Sequence, residues 1–193
     1  MQILLASASP YRGQLLSRLD LPFDQAAAAI EESARPGESA AEVARRLAAA
    51  KAKAAALAAD RPDAVIIGSD QTVDCGGTLL GKPGGFDAAR RQLLALSGNR
   101  ALFYTAVALL DTRSGRLEED MAITEVTFRT LTEPEIERYL LRETPYDCAG
   151  SFKAEGLGIS LFEAVHSDDP TALIGLPLIR VRRLLAVLGV AVP

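Results

Sequence analysis

Cysteine, histidine and tryptophan are scarce in this 193-residue chain, which has 2 Cys, 1 His and no Trp. Cys75 and Cys148 stand far apart and neither belongs to a C-x-x-C pair, which argues against a zinc site or a disulfide scaffold and for reduced thiols. His166 is the sole histidine, so a hydrolase built on a histidine base has to use it or do without, and any metal is held mainly by carboxylates. Long apolar runs are missing too. Ala101 to Leu110 is one of the longest stretches without a charge, and it stops well short of the roughly 20 residues a bilayer span needs. Met1 to Ala6 lacks a basic region ahead of its short apolar stretch, so no secretory signal is expected and a cytoplasmic location follows. Nor is there an excess of positive charge. With 21 Lys and Arg against 25 Asp and Glu the net charge is −4, so the surface as a whole does not attract polyanions and no nucleic-acid partner is expected.

Hydrophobic residues make up 49% of the chain and charged residues 24%, which excludes a disordered protein and suits a buried core. The length fits a single domain over residues 1–193. Gln2 to Ala6 reads as a short buried strand, and Ser9-Pro10 as the N-cap and first turn of a helix carrying Leu15, Leu16 and Leu19. Phe23 to Ile30 is a second candidate strand. Ser39-Ala40-Ala41-Glu42 is a capping box opening a helix to about Ala59, with an apolar stripe of Val43, Leu47, Ala50, Ala54 and Leu57. Ala64 to Gly68 reads as a strand buried on both faces, ending at Ser69-Asp70-Gln71. A helix over Phe86 to Leu96 precedes a hairpin of two long strands, Ala101 to Asp111 and Leu117 to Arg129. A second capping box at Thr132 to Glu135 starts a helix ending near Leu141, Leu157 to Phe162 reads as a strand, and Leu178 to Leu188 as a closing helix. Strands mixed with helices imply an α/β domain with a mixed sheet flanked by helices.

Gly76-Gly77-Thr78-Leu79-Leu80-Gly81-Lys82-Pro83 matches a P-loop except at its last position. Pro83 has neither the hydroxyl that holds Mg²⁺ nor the N–H that opens the helix, which removes the P-loop reading. Ser7-Ala8-Ser9-Pro10-Tyr11-Arg12 suits a phosphate cradle of hydroxyls, helix N–H groups and a guanidinium, while Ser9 equally suits a plain N-cap. Asp70 stands at the carboxyl end of the most apolar strand, where α/β proteins build their sites, and there it serves either chemistry or an Asx turn. Lys82 is either a phosphate ligand or a solvated turn lysine.

Together these segments resemble the Maf family of nucleoside triphosphate pyrophosphatases over nearly the whole chain. The opening S-x-S-P-R-R-x-x-L-L is present as Ser7-Ala8-Ser9-Pro10-Tyr11-Arg12-Gly13-Gln14-Leu15-Leu16, with Tyr11 in place of the first arginine. G-x-D-x is Gly68-Ser69-Asp70-Gln71, G-K-P is Gly81-Lys82-Pro83, and the late A-G motif runs from Ala149 to Gly156. The closing G-L-P is Gly175-Leu176-Pro177. Gln71 and Glu155 stand where the thymidine- and uridine-triphosphate branch has Thr and Gln, so the chain resembles the branch that cleaves 7-methyl-GTP. An aromatic at Tyr11 fits that branch: it either stacks on a cationic base or packs in the core.

The resemblance implies a Maf/ITPase-like fold and hydrolysis of a triphosphate to a monophosphate and pyrophosphate. It implies Asp70 and Glu32 as ligands of Mg²⁺ or Mn²⁺, Asp70 also as the base, and Arg12, Lys51 and Lys82 as phosphate ligands. Ser7 and Ser9 join the phosphate site, and Tyr11, Gln71 and Glu155 the nucleotide. Periodicity alone does not choose between Lys51 and Lys53, which flank the expected stripe on opposite sides, and from the sequence alone Glu32 and Lys51 both read as solvated surface charges. His166 lies outside every motif and is expected to be structural or on the surface. The resemblance also suggests a homodimer, and the family's association with septum formation keeps open a nucleotide-binding regulator with little turnover.

Overall fold

The computed structural model describes residues 1–192. The chain forms two compact units, one from residues 1–70, 105–122 and Asp169 onward, the other from residues 71–104 and 123–168. Among the described residues seven strands form one mixed sheet in the order β2-β1-β3-β5-β6-β7, with β4 paired to β3. The element order is β1 (Gln2–Ala6), α1 (Pro10–Leu16), β2 (Asp24–Ala26), α2 (Ala40–Ala59), β3 (Ala64–Cys75), β4 (Thr78–Leu80) and α3 (Phe86–Leu96). It continues with β5 (Arg100–Asp111), β6 (Leu117–Phe128), α4 (Glu133–Glu143), β7 (Phe162–Ser167) and α5 (Leu178–Val187). Among the described residues no helix is long and apolar enough to cross a membrane.

In the first unit β1 runs parallel to β2 and to β3, with Ile3 opposite Val65 and Leu5 opposite Ile67. The alternation of a strand sends Ile3, Leu5, Val65 and Ile67 to one face, where they pack with Leu15, Leu16, Val181, Leu184 and Leu185 of α1 and α5. Each such buried side chain contributes roughly 1.5–3 kcal/mol. Helix α2 starts at its capping box, where Ser39 accepts from the Glu42 N–H and the Glu42 carboxylate accepts from the Ser39 N–H at 2.8 Å. Its buried face is Val43, Ala44, Leu47, Ala48, Lys51, Ala52 and Ala55. The expected stripe is therefore rotated: Leu57 is 86% exposed. The reason is close approach at Gly68 of β3, where a Cβ would fall 2.2 Å from the Ala48 carbonyl oxygen and 2.7 Å from the Ala52 nitrogen. The helix seats its small residues on a glycine, and this contact rather than the largest apolar side chains chooses the face.

In the second unit Phe152 meets Phe103, Phe128 and Phe162 edge-on at centroid distances of 5.3, 5.7 and 4.9 Å. Leu93 and Leu96 of α3 and Ile136 and Leu140 of α4 are fully buried. The hairpin of β5 and β6, whose turn belongs to the first unit, forms as expected, with the Asp111 N–H bonded to the Arg116 carbonyl.

Three expectations change. β2 is limited to Asp24–Ala26. β3 does not stop after its apolar run: Val73, Asp74 and Cys75 pair with β4 across the Gly76-Gly77 turn, so the backbone stays laddered and Asp70 and Gln71 lie within the strand. Leu157 to Leu161 is a 3₁₀ turn rather than a strand. There the Gly156 and Gly158 N–H groups bond to the Lys153 carbonyl, and the Leu157 N–H to the Glu143 carboxylate at 2.7 Å. Donors taken locally cannot enter a ladder, and pairing with β6 begins only at Phe162.

Candidate active site

The alternation of β3 places Gly68 and Asp70 on the face that α2 crosses and sends Ser69 to the other. Because Gly68 lets α2 approach so closely, Lys51, next to Ala52, reaches Asp70: Lys51 Nζ is 2.7 Å from Asp70 Oδ1 and 2.7 Å from Glu32 Oε1. Lys51 and Asp70 are both buried, Lys53 is exposed, and Glu32 is 44% exposed. Burial pushes the Asp70 carboxyl above its usual range, while Lys51 and Arg12 pull it down and Glu32 raises it. Arg12 completes the network. Burial lowers its guanidinium, and the carboxylates of Asp70 and Glu32 oppose that shift.

Arg12 Nε donates to the Gly175 carbonyl at 2.8 Å and Nη1 to Ser7 Oγ at 3.4 Å. Ser7 Oγ also accepts from the Ser9 N–H at 3.1 Å. The Ser9 side chain makes no capping bond, so at the start of α1 the hydroxyl that organises the loop is that of Ser7. Sequence reasoning missed Gln25, whose Nε2 donates to the Ser7 and Ser9 carbonyls at 2.8 and 2.9 Å. Nothing in its short, weakly patterned segment marked it. Tyr11 is half-buried on α1.

The first unit thus brings together Arg12, Glu32, Lys51 and Asp70, with Ser7 bonded to the arginine and Ser9 bonded to Ser7. Gln71, Lys82 and Glu155 belong to the second unit. There Gln71 is half-buried, whereas Lys82 and Glu155 are exposed. The loop of Lys82 is held by Gln92 Nε2, which donates to the Gly81 carbonyl at 3.0 Å. The turn around Glu155 is held by Glu143, whose carboxylate takes the Leu157 N–H. His166 is exposed on β7.

Lys51 engages Asp70 through Oδ1 and Glu32 through Oε1, and the second oxygen of each carboxylate is a hard donor of the kind divalent cations prefer. Among the described residues no group of three or more His, Cys, Asp or Glu forms a cage for a metal.

A family model described as "Maf-like protein" matches residues 2–188. The chain belongs to the Maf family. A 7-methyl-GTP pyrophosphatase of Xanthomonas axonopodis pv. citri is 53% identical to this Maf chain over 192 residues, covering 100% of it and 99% of the relative. One of Pseudomonas fluorescens (strain Pf-5) is 51% identical over 193 residues, covering 100% of both. The solved structure of a nucleoside-triphosphatase / dITP/XTP pyrophosphatase from Mycobacterium abscessus aligns with a TM-score of 0.48 at 18% identity, over 98% of this Maf chain and 94% of that one.

Proposed function

We propose that this protein hydrolyses 7-methyl-GTP between its α- and β-phosphates, releasing 7-methyl-GMP and pyrophosphate. The observation that carries the reading is the buried pair of Lys51 and Asp70, joined by the more exposed Glu32 beside Arg12, in a chain about half identical, end to end, to 7-methyl-GTP pyrophosphatases. Cleaving a phosphoanhydride asks the protein chiefly to position the triphosphate, neutralise its charge and orient a water.

Each need has a candidate group. Asp70 accepts the proton of the attacking water, and Lys51, in direct contact, holds its carboxylate in place. Arg12, Lys51 and Lys82 bind phosphate oxygens, and Ser7 and Ser9 anchor the phosphate chain. Asp70 and Glu32 are the residues that would hold Mg²⁺ or Mn²⁺, which when bound would neutralise charge on the phosphate oxygens. Tyr11, Gln71 and Glu155 contact the nucleoside. A cytoplasmic location completes the proposal.

Pyrophosphate release is measured on 7-methyl-GTP, GTP, UTP and TTP with Mg²⁺ or Mn²⁺. The expected result is the highest kcat/KM on 7-methyl-GTP. Tight nucleotide binding without release would instead favour a regulator that uses the same residues.

A further inference from the structure

The closing Gly175-Leu176-Pro177 motif takes no part in the proposed chemistry, yet its first carbonyl meets two residues of the network's motifs. Gly175 C=O accepts from Arg12 Nε at 2.8 Å, and Ser69 Oγ, beside Asp70 on β3, lies 3.0 Å from the same oxygen and 2.9 Å from the Ala106 carbonyl. Ser69 is fully buried. The turn is itself braced: the Gly175 N–H bonds to the Ala172 carbonyl at 2.9 Å, and Thr105 Oγ1 donates to that carbonyl at 3.0 Å. Gly175 has φ +121°, and a Cβ there would stand 3.4 Å from Arg12 Nε and 3.8 Å from its Cγ and Nη2. Glycine is thus required by the backbone, while the arginine lies at ordinary van der Waals distance from where a Cβ would stand.

We infer that Gly175 and Ser69 are positioning residues that hold Arg12 by its Nε and aim the remaining guanidinium donors at the phosphate chain. A carbonyl suits this task because it is neutral. Asp70 and Glu32 stabilise the charge of Arg12 but also offset it, whereas the Gly175 oxygen fixes the planar group and leaves its full charge for an anion. Arginine suits it too, since a guanidinium offers a separate Nε–H to be anchored while its Nη edge binds elsewhere, and a lysine ammonium has no second, fixed edge. Ser69 then links the arginine to β3, so that the strand carrying Asp70 and the helix carrying Arg12 share one reference point.

The inference rests on Arg12 as a phosphate ligand in the proposed reaction. Its test is a double-mutant cycle of Ser69→Ala and Gly175→Ala, each alone and combined with Arg12→Ala. The cycle is read on calorimetric binding of inorganic tripolyphosphate and on kcat/KM for 7-methyl-GTP. With Arg12 present, Ser69→Ala is expected to lower both by about three- to tenfold, the range for one neutral hydrogen bond, and Gly175→Ala by more. In the Arg12→Ala background Ser69→Ala is not expected to matter by more than about twofold, as for a residue acting through a shared partner, and Gly175→Ala keeps only the part of its loss that comes from backbone strain. Losses that persist undiminished without Arg12 would mean a merely structural role and overturn the proposal, as would no loss with Arg12 present. Should Gly175→Ala fail to fold, Ser69→Ala decides alone. Wild type that binds tripolyphosphate but releases no pyrophosphate from any nucleotide ends the functional reading and leaves the binding cycle standing; wild type that neither binds nor hydrolyses ends both.

Discussion

Lys51 and Asp70, 19 positions apart in sequence, form a buried ion pair at 2.7 Å whose side chains are 8% and 9% exposed. Neither is screened by water as a surface pair would be.

Removing one partner of such a pair strands the other. Lys51→Ala is expected to cost about 3 kcal/mol of stability, the low end for breaking a buried pair, read as a shift in the urea midpoint. Asp70→Asn should cost less, because Lys51 keeps Glu32 at 2.7 Å. Its larger effect is on turnover, with pyrophosphate release falling by at least about 10²-fold as the base is lost. Near-normal release by Asp70→Asn would remove Asp70 from the chemistry.

Gly68→Ala forces a methyl group against the Ala48 carbonyl oxygen, 2.2 Å from an ideal Cβ. The backbone of α2 must move, at a cost of about 1–3 kcal/mol for overpacking, and Lys51 moves with it. The urea midpoint and turnover should therefore fall together. A variant with full activity would show that the close approach does not position Lys51.

Glu155 tests the choice of nucleotide. Methylation at N7 puts positive charge on guanine and strengthens its N1–H and N2–H donors, so a carboxylate is a better acceptor than a neutral amide. Glu155→Gln is expected to lower kcat/KM on 7-methyl-GTP by about ten- to a hundredfold, with a much smaller effect on UTP and TTP. An equal drop on every nucleotide would sink the specificity role.

The acid limb of stability has an identifiable source. Backbone and side-chain hydrogen bonds from Thr132 hold Glu135 down to about 2, against a usual 4.5. A carboxylate depressed by folding contributes stability that is complete above its unfolded value and is lost as pH falls toward its folded one. Between pH 5 and 2.5 the urea midpoint of the wild type should thus fall more steeply than that of Glu135→Gln. Parallel curves would show that this capping carboxylate adds nothing.

What was legible in the sequence is what local chemistry dictates. The capping boxes at Ser39 and Thr132 opened helices where they stood, and the apolar run from Ala64 became a buried strand. The hairpin also followed from its turn. Ordered motifs were enough to read the family, because each sits at a short, recognisable spacing.

The tertiary structure decided everything that depends on one backbone approaching another. Sequence periodicity left Lys51 and Lys53 open because it weighs side chains by hydrophobicity, and α2 is oriented by small residues seated on Gly68 instead. It ended the strand before Asp70 because a polar segment carries no apolar signal, whereas in the fold β3 runs on through Asp70 to Cys75 and meets β4 at Val73 to Cys75. It read Leu157 to Phe162 as a strand because it could not see Glu143 taking a donor from 14 residues away. And it left Gly175 as one letter of a motif, since only the folded chain shows which side chain, 163 positions earlier, its carbonyl receives.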